Sequence, residues 1–208
     1  GENQYDLSVH DNVIHDVGCD GINFGTVDPS RGRVEAFNNV LFDVGRGWYT
    51  GVPTSYACVN VAGYTNAGTA GAGEVDVHGN TCVGFGLRGA SELGSGAYTV
   101  TDISPSLFIR LRNNIAVSTN GAPYLSTDTS IEQVLGSYNL FYGSGDGPLA
   151  LAANVNANPL FLDLAAHDFR LSDTSPAIDA GTETGVARDL AGTPRTPPLD
   201  IGAYEHRN

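Results

Sequence analysis

Short runs in which apolar and polar residues alternate, bounded by Gly, Asn, Asp or Ser, recur through the first 150 residues, and a helical period is almost nowhere sustained. Alternation with period two over four to eight residues predicts half-buried strands. Five runs match one another: SVHDNVIHDVG, EAFNNVLFDVG, DVHGNTCVGFG, RLRNNIAVSTNG and LGSYNLFYGSG. Superposing them aligns Asn12, Asn39, Asn80, Asn114 and Asn139 at spacings of 27, 41, 34 and 25 residues. Helix-pair repeats hold a nearly fixed period, whereas coils of short strands tolerate loops of free length. The pattern predicts an all-β solenoid, a right-handed parallel β-helix of about five coils over residues 1–150.

Three positions before each aligned Asn stand Val9, Ala36, Val77, Leu111 and Gly136, and one after it Val13, Val40, Thr81, Ile115 and Leu140. Both sets are expected to face inward. The Asn between them belongs at a sharp bend, where its amide satisfies turn backbone and stacks on the Asn of the next coil, a structural role without chemistry.

If the third position before the Asn points inward, its two neighbours point outward, and equivalent positions stack about 4.8 Å apart from coil to coil. One outward column reads Ser8, Glu35, Asp76, Arg110, Leu135 and the other His10, Phe37, His78, Arg112, Ser137. Ionisable and aromatic groups thus converge on one face. Glu35 and Asp76 on adjacent coils would stand roughly 5 Å apart, near the separation used in retaining glycoside hydrolysis. Arg110 would lower the pKa of Asp76 or neutralise a uronate, and His78 would serve as general acid or base. His10 and Arg112 would hydrogen-bond a sugar, and Phe37, Trp48 and Tyr49, with Tyr124, would stack on it. The plainer reading makes the same charges cross-strand ion pairs and the histidines polar surface, and packs Trp48, Tyr49 and Tyr124 beneath the Gly- and Ala-rich insertion at 62–73. Asp16 and Asp43, near the following turn with Asp11 and Asp20, are candidate Ca²⁺ ligands, although acidic turn residues are commonly just solvated. No cofactor is required.

Composition narrows the partners. The chain of 208 residues carries a net charge of −13, with ten arginines and no lysine against 23 Asp and Glu. That argues against nucleic acid or an anionic membrane surface as partner. No stretch approaches the roughly 18 consecutive apolar residues of a membrane span. Glycine, at 27 of 208 residues, is nearly twice as frequent as the usual share of about 7%. Cys19, Cys58 and Cys82 have no CxxC spacing and read as small buried hydrophobes, with a Cys58 to Cys82 bridge requiring both side chains on neighbouring strands.

From about residue 151 the pattern changes. Asn158, Pro159 and Phe161, then Asp168 to Leu171, then SPAIDAG from Ser175 to Gly181, then Asp189, Gly192, Pro194 and Arg195, and finally DIGAYE from Asp200 to Glu205 follow one another. This segment resembles the C-terminal end of secreted bacterial right-handed parallel β-helix proteins with a choice-of-anchor Q segment, in the pectate-lyase-like superfamily. The resemblance covers about a quarter of the chain. It implies that residues 151–208 form the last coil and a C-terminal cap of the same domain, with Asp189, Arg195, Asp200 and Glu205 structural and paired. It further implies export to the bacterial surface or medium and work on polysaccharides by lyase-like or hydrolase-like sites. The same architecture also serves adhesins and end-to-end stacking modules.

Known catalytic patterns are missing. Without lysine there is no lysine base for elimination, and the paired-aspartate and Gly-His-Gly signatures of polygalacturonase-like hydrolases do not occur. GTVD from Gly25 to Asp28 resembles a fragment of the pectin methylesterase motif, but Pro29 and Ser30 follow it. The expectation is an extracellular polysaccharide-binding module, cleaving or not. The ladder is already in step at Asn12, so missing upstream coils or another chain are expected to cover the N-terminal end.

Overall fold

A computed structural model describes residues 4–47, 56–63, 71–89 and 94–207. It contains no α-helix among the described residues. The first coil is β1 (Leu7–His10), β2 (Val13–Val17) and β3 (Ile22–Gly25), and the second is β4 (Val34–Phe37), β5 (Val40–Val44) and β6 (Tyr56–Ala62). The third is β7 (Gly73–His78), β8 (Thr81–Val83) and β9 (Ser95–Thr101), and the fourth is β10 (Leu107–Arg112), β11 (Ile115–Val117) and β12 (Leu125–Thr127). β13 (Val134–Ser137), β14 (Leu140–Tyr142) and β15 (Val155–Asn156) close the series, followed by an antiparallel pair, β16 (Phe161–Asp163) and β17 (Asp168–Leu171). From β1 to β14 every third strand joins the same sheet, giving β1-β4-β7-β10-β13, β2-β5-β8-β11-β14 and β3-β6-β9-β12, and β15 adds to the second sheet beside β14. All pairings within these three sheets are parallel, the connectivity a β-solenoid requires.

The asparagines form a continuous ladder between the first and second sheets. Nδ2 of Asn12, Asn39, Asn80 and Asn114 donates to Oδ1 of the next ladder Asn at 2.9 to 3.0 Å. Their backbone N–H groups donate to the same oxygens at 3.0 to 3.1 Å. Asn139 passes the ladder to Asn154 at 3.3 Å. The residue before each ladder Asn, namely Asp11, Asn38, Gly79, Asn113 and Tyr138, has φ between 51° and 60°. Asp, Asn and Gly tolerate that left-handed conformation best, which explains their run at this position.

That bend also corrects one expectation. Val9, Ala36, Val77 and Leu111 do pack into the interior, but Val40, Thr81, Ile115 and Leu140 do not. The left-handed residue reverses the alternation, so the Asn points in, the next residue out, and Ile14, Leu41, Cys82, Ala116 and Phe141 in. Gly136 holds the inward place in the last coil, where a Cβ would collide with the Leu111 carbonyl oxygen.

The outward apolar column of the second sheet is covered by the C-terminal tail. Val40, Phe42, Val83, Ile115, Val117 and Leu140 join Phe169, Leu171, Ala177, Ile201 and Ala203 in a second core. Val13, in the first coil, lies beyond this cover and is 57% exposed. The tail is held by the left-handed asparagines. Asn38 Nδ2 donates to the Arg188 carbonyl at 2.7 Å and Asn113 Nδ2 to that of Thr182 at 2.6 Å.

Arg195 and Glu205 pair at 2.6 Å with side chains 3% and 8% exposed, and Arg195 also donates to Asn38 Oδ1 and the Gly202 carbonyl. Asp189 and Asp200 accept backbone N–H groups within the tail, so all four residues are structural. Burial pushes the Glu205 carboxyl up from 4.5 to about 7, against the pull of Arg195. A folded pKa above the unfolded one means that the contribution to stability is complete below about pH 4.5 and is lost as pH rises through 7. His78, whose pKa is lowered by burial, acts in the opposite sense. The Glu205 part is therefore read by difference: between pH 5 and 8 the melting temperature of Glu205→Gln should gain on that of the parent. A constant gap across this range would refute the assignment.

Cys58 in β6 and Cys82 in β8 form a disulfide with Cα atoms 6.2 Å apart. This departs from the reading as buried thiols, and the two strands are not neighbours in a sheet. They belong to consecutive coils and face each other across the interior, with Cys58 fully buried and Cys82 1% exposed. Cys19 is free and half-buried.

Candidate functional site

The two outward columns of the first sheet lie in the expected register. Ser8, Glu35, Asp76, Arg110 and Leu135 are successive Cα partners, as are His10, Phe37, His78, Arg112 and Ser137. Glu35, Asp76, His78, Arg110 and Arg112 therefore share one sheet face, because parallel pairing without bulges preserves the side of every side chain.

Their contacts differ from simple neighbour pairing. Arg110 stands beside Asp76 but turns to Glu74, donating from Nε and Nη2 to its two oxygens at 2.6 Å each. Arg112 stands beside His78 but pairs with Asp76 at 2.5 Å. Each guanidinium leans two residues back along the adjacent strand, the diagonal reach that long side chains allow. Sequence reasoning missed Glu74, although its place two residues before Asp76 puts it on the same face. The hydrogen bonds that Arg110 donates to Glu74 hold its guanidinium still more firmly protonated. Asp76 is therefore neutralised by Arg112, and Arg110 is already committed.

Glu35 is 8% exposed. Its Oε1 accepts from Ser8 Oγ at 2.9 Å and lies 3.5 Å from Arg33 Nη1. His78, at 3% exposed, is a buried ring rather than a surface group. Burial pushes its pKa below the ordinary value, Asp76 raises it and Arg112 lowers it further, so the ring is neutral at pH 7. Buried Oδ1 of Asp76 and Nε of Arg112 have no hydrogen-bond partner among the described residues.

Phe37 does not present a stacking face. Its ring lies between His10, 4.6 Å away and tilted by 5°, and His78, 5.3 Å away and tilted by 1°. Both faces of the phenyl ring are covered, because rings in one column stack along the solenoid axis and show only edges to the outside. His10 is the exposed end of this stack and pairs with Asp11 at 2.7 Å. Trp48 and Tyr49 lie outside the described residues. Tyr124 is a core residue packed on Phe141, with its hydroxyl accepting from Ser144 N–H at 2.7 Å.

Asp16 and Asp43 face each other across the guanidinium of Arg46, at 2.9 and 3.2 Å. A cation already joins them, and among the described residues no three His, Cys, Asp or Glu side chains converge as metal ligands. A cleft of about 460 Å³ in the tail is lined by Arg170, Tyr204, Glu205, His206 and Arg207, among others, and by none of the column residues. Its acid–base groups are engaged, Glu205 by Arg195 and His206 by Asp173. Comparison with protein-family models and with curated proteins gave no match for this chain.

Proposed function

We propose that the chain is part of an exported right-handed parallel β-helix protein with a choice-of-anchor Q type C-terminal cap, and that the outer face of its first sheet binds an extended polysaccharide. The observation that carries this reading is the row of groups from Glu35 through Glu74, Asp76, Arg110 and Arg112, set in register on one face. Repeated hydrogen-bonding groups at strand spacing suit a repeated ligand. The buried disulfide supports export, since such bonds persist in oxidising compartments.

The charges favour a neutral glycan over a uronate. Arg110 and Arg112 each hold a carboxylate, so the face offers paired donors and acceptors without an unneutralised cation. Ring edges and hydroxyl-directed hydrogen bonds replace sugar stacking. Glu35 and Asp76 are both engaged by cations, which favours binding over cleavage, and cleavage is the outcome that the experiment below also reads.

The test is a polysaccharide panel, with and without calcium, read by retention, by reducing-sugar release and at 235 nm for unsaturated products. At least one neutral polymer should be retained. Glu74→Gln and Arg110→Ala should each weaken that retention about tenfold, the worth of one charge-assisted hydrogen bond. Both side chains are substantially exposed, so stability should change by less than about 1 kcal/mol. If a polymer is cleaved, Asp76→Asn should abolish turnover. Equal retention by both face variants, or no retention of any polymer, refutes the assignment.

A further inference from the structure

The third sheet stops one strand short. It holds four strands, β3-β6-β9-β12, where the first holds five and the second six. After β14 the chain does not run on beside β12 but crosses the end of the coils. Leu151 is buried in the core, Ala152 bridges Ser137 of the first sheet and β15 pairs with β14. β12 is thus an edge strand, and among the described residues β9 is its only sheet neighbour.

The register shows which backbone groups this edge leaves open. Leu125, Ser126 and Thr127 are the Cα partners of Tyr98, Thr99 and Val100. Tyr98 N–H donates to the Tyr124 carbonyl at 2.9 Å, and Asp128 N–H donates to the Val100 carbonyl at 3.4 Å. In a parallel pair the residues that face the neighbour alternate along the strand. Tyr124, Ser126 and Asp128 therefore face β9, and Leu125 and Thr127 turn N–H and C=O the other way. Such a row of unpaired groups is a template for another strand.

A groove of about 580 Å³ runs along the same edge, lined by Leu125 and Thr127 but not by Ser126. Ile131, Pro148 and Leu149 also line it, with Ile131 44% and Leu149 100% exposed. The charge here has one sign. Asp146 lines the groove, and Asp128 and Glu132 stand beside Thr127 and Ile131 in the chain, all three exposed. No cation pairs with any of them among the described residues. The sequence has neither Lys nor Arg between Arg112 and Arg170.

We propose that this edge docks an extended peptide segment of a partner protein as a fifth, parallel strand of the third sheet, with two apolar residues one position apart and basic residues flanking them. The central residue of the segment stands opposite Ser126, donates its N–H to the Leu125 carbonyl and accepts from Thr127 N–H. Its two neighbours share the side of Leu125 and Thr127, because register fixes the face of each side chain. There Ile131, Pro148 and Leu149 meet apolar groups, and the flanking cations answer Asp128, Glu132 and Asp146. Main-chain bonds supply affinity in this mode and the alternate side chains supply selectivity. The surface is separate from the first-sheet face and does not depend on whether that face binds a glycan.

The probe is the capped peptide Gly-Arg-Val-Thr-Val-Arg-Gly, with exchange of single amides as the readout. In the free protein Leu125 and Thr127 N–H should exchange at least tenfold faster than Ser126 and Asp128 N–H. Saturating peptide should abolish that difference. Replacing both arginines by glutamate, or N-methylating the central threonine, should each weaken binding at least tenfold, since charge pairing or a main-chain donor is lost. Leu149→Ser should weaken it about tenfold without changing the melting temperature, because the leucine is fully exposed in the free protein. Equal affinity for the acidic or the N-methylated peptide overturns the proposal, as does unchanged exchange of Leu125 and Thr127 at millimolar peptide. Slow exchange of these two amides in the free protein also overturns it, since the edge is then already covered: by a second copy if dilution releases the protection, by the chain itself if it does not.

Discussion

Asn114→Ala should destabilise the protein by about 4 kcal/mol, whereas Asn12→Ala should cost less than about 1 kcal/mol. Asn114 is fully buried. Its Oδ1 accepts Asn80 N–H at 3.1 Å and Asn80 Nδ2 at 3.0 Å, and its Nδ2 donates to the Val77 carbonyl at 2.8 Å and Asn139 Oδ1 at 3.0 Å. Alanine strands at least the buried Asn80 backbone donor and the Val77 acceptor, each costing about 1 to 3 kcal/mol. Asn80 Nδ2 keeps its bonds to Ala36 and His78 and adds little. Asp at the same position would serve Asn80 but set a carboxylate against the Val77 and Asn139 oxygens, so it should not rescue. Asn12 is exposed and receives no ladder bond among the described residues, and its alanine variant keeps the backbone N–H on the buried Asn39 Oδ1, so its loss strands no buried group. Chemical unfolding of both variants checks this, and equal costs at the two positions would show that the ladder contributes no cooperative stability.

Loss of the Cys58 to Cys82 disulfide should cost about 3 kcal/mol, the chain-entropy value for a closed loop of this size, given a sequence separation of 24. At a domain of this length that is a fall in melting temperature of roughly 6 to 12 °C. Both sulfurs lie in the interior between consecutive coils. Reductant should therefore reach them only through opening of the coils. The expected result is slow reduction in native buffer, fast reduction at moderate denaturant, and a lowered midpoint for the reduced protein. Rapid reduction in native buffer, or an unchanged midpoint, would contradict the interior placement. Cys58→Ala with Cys82→Ala should cost somewhat more than reduction, since the voids add to the lost cross-link.

The register of the first sheet was legible in the sequence. A ladder Asn in each repeat sets the phase of the coils, and strict alternation then assigns each nearby side chain to one face of the sheet. Hence Ser8, Glu35, Asp76 and Arg110 fall in one column and His10, Phe37, His78 and Arg112 in the other. The tail residues from Asn158 to Glu205 were legible as a distinct segment whose resemblance implies paired Asp189, Arg195, Asp200 and Glu205, but among the described residues only Arg195 and Glu205 join in an ion pair, while Asp189 and Asp200 accept backbone N–H groups.

What the tertiary structure decided lies wherever side chains or segments meet across a distance that alternation does not measure. The apolar residues after each ladder Asn look like core under simple alternation. A left-handed residue reverses the parity, and the tail from Phe169 to Ala203, well downstream of Leu140, supplies their cover. The choice of Glu74 by Arg110, and of Asp76 by Arg112, depends on rotamer reach along a neighbouring strand. The disulfide depends on the cross-section of the interior, where strands of different sheets face each other. Alternation is a local property of one strand, fixed by backbone geometry. Coverage, diagonal pairing and cross-interior bonding depend on how three sheets and a returning tail enclose space, and only the folded coils determine that.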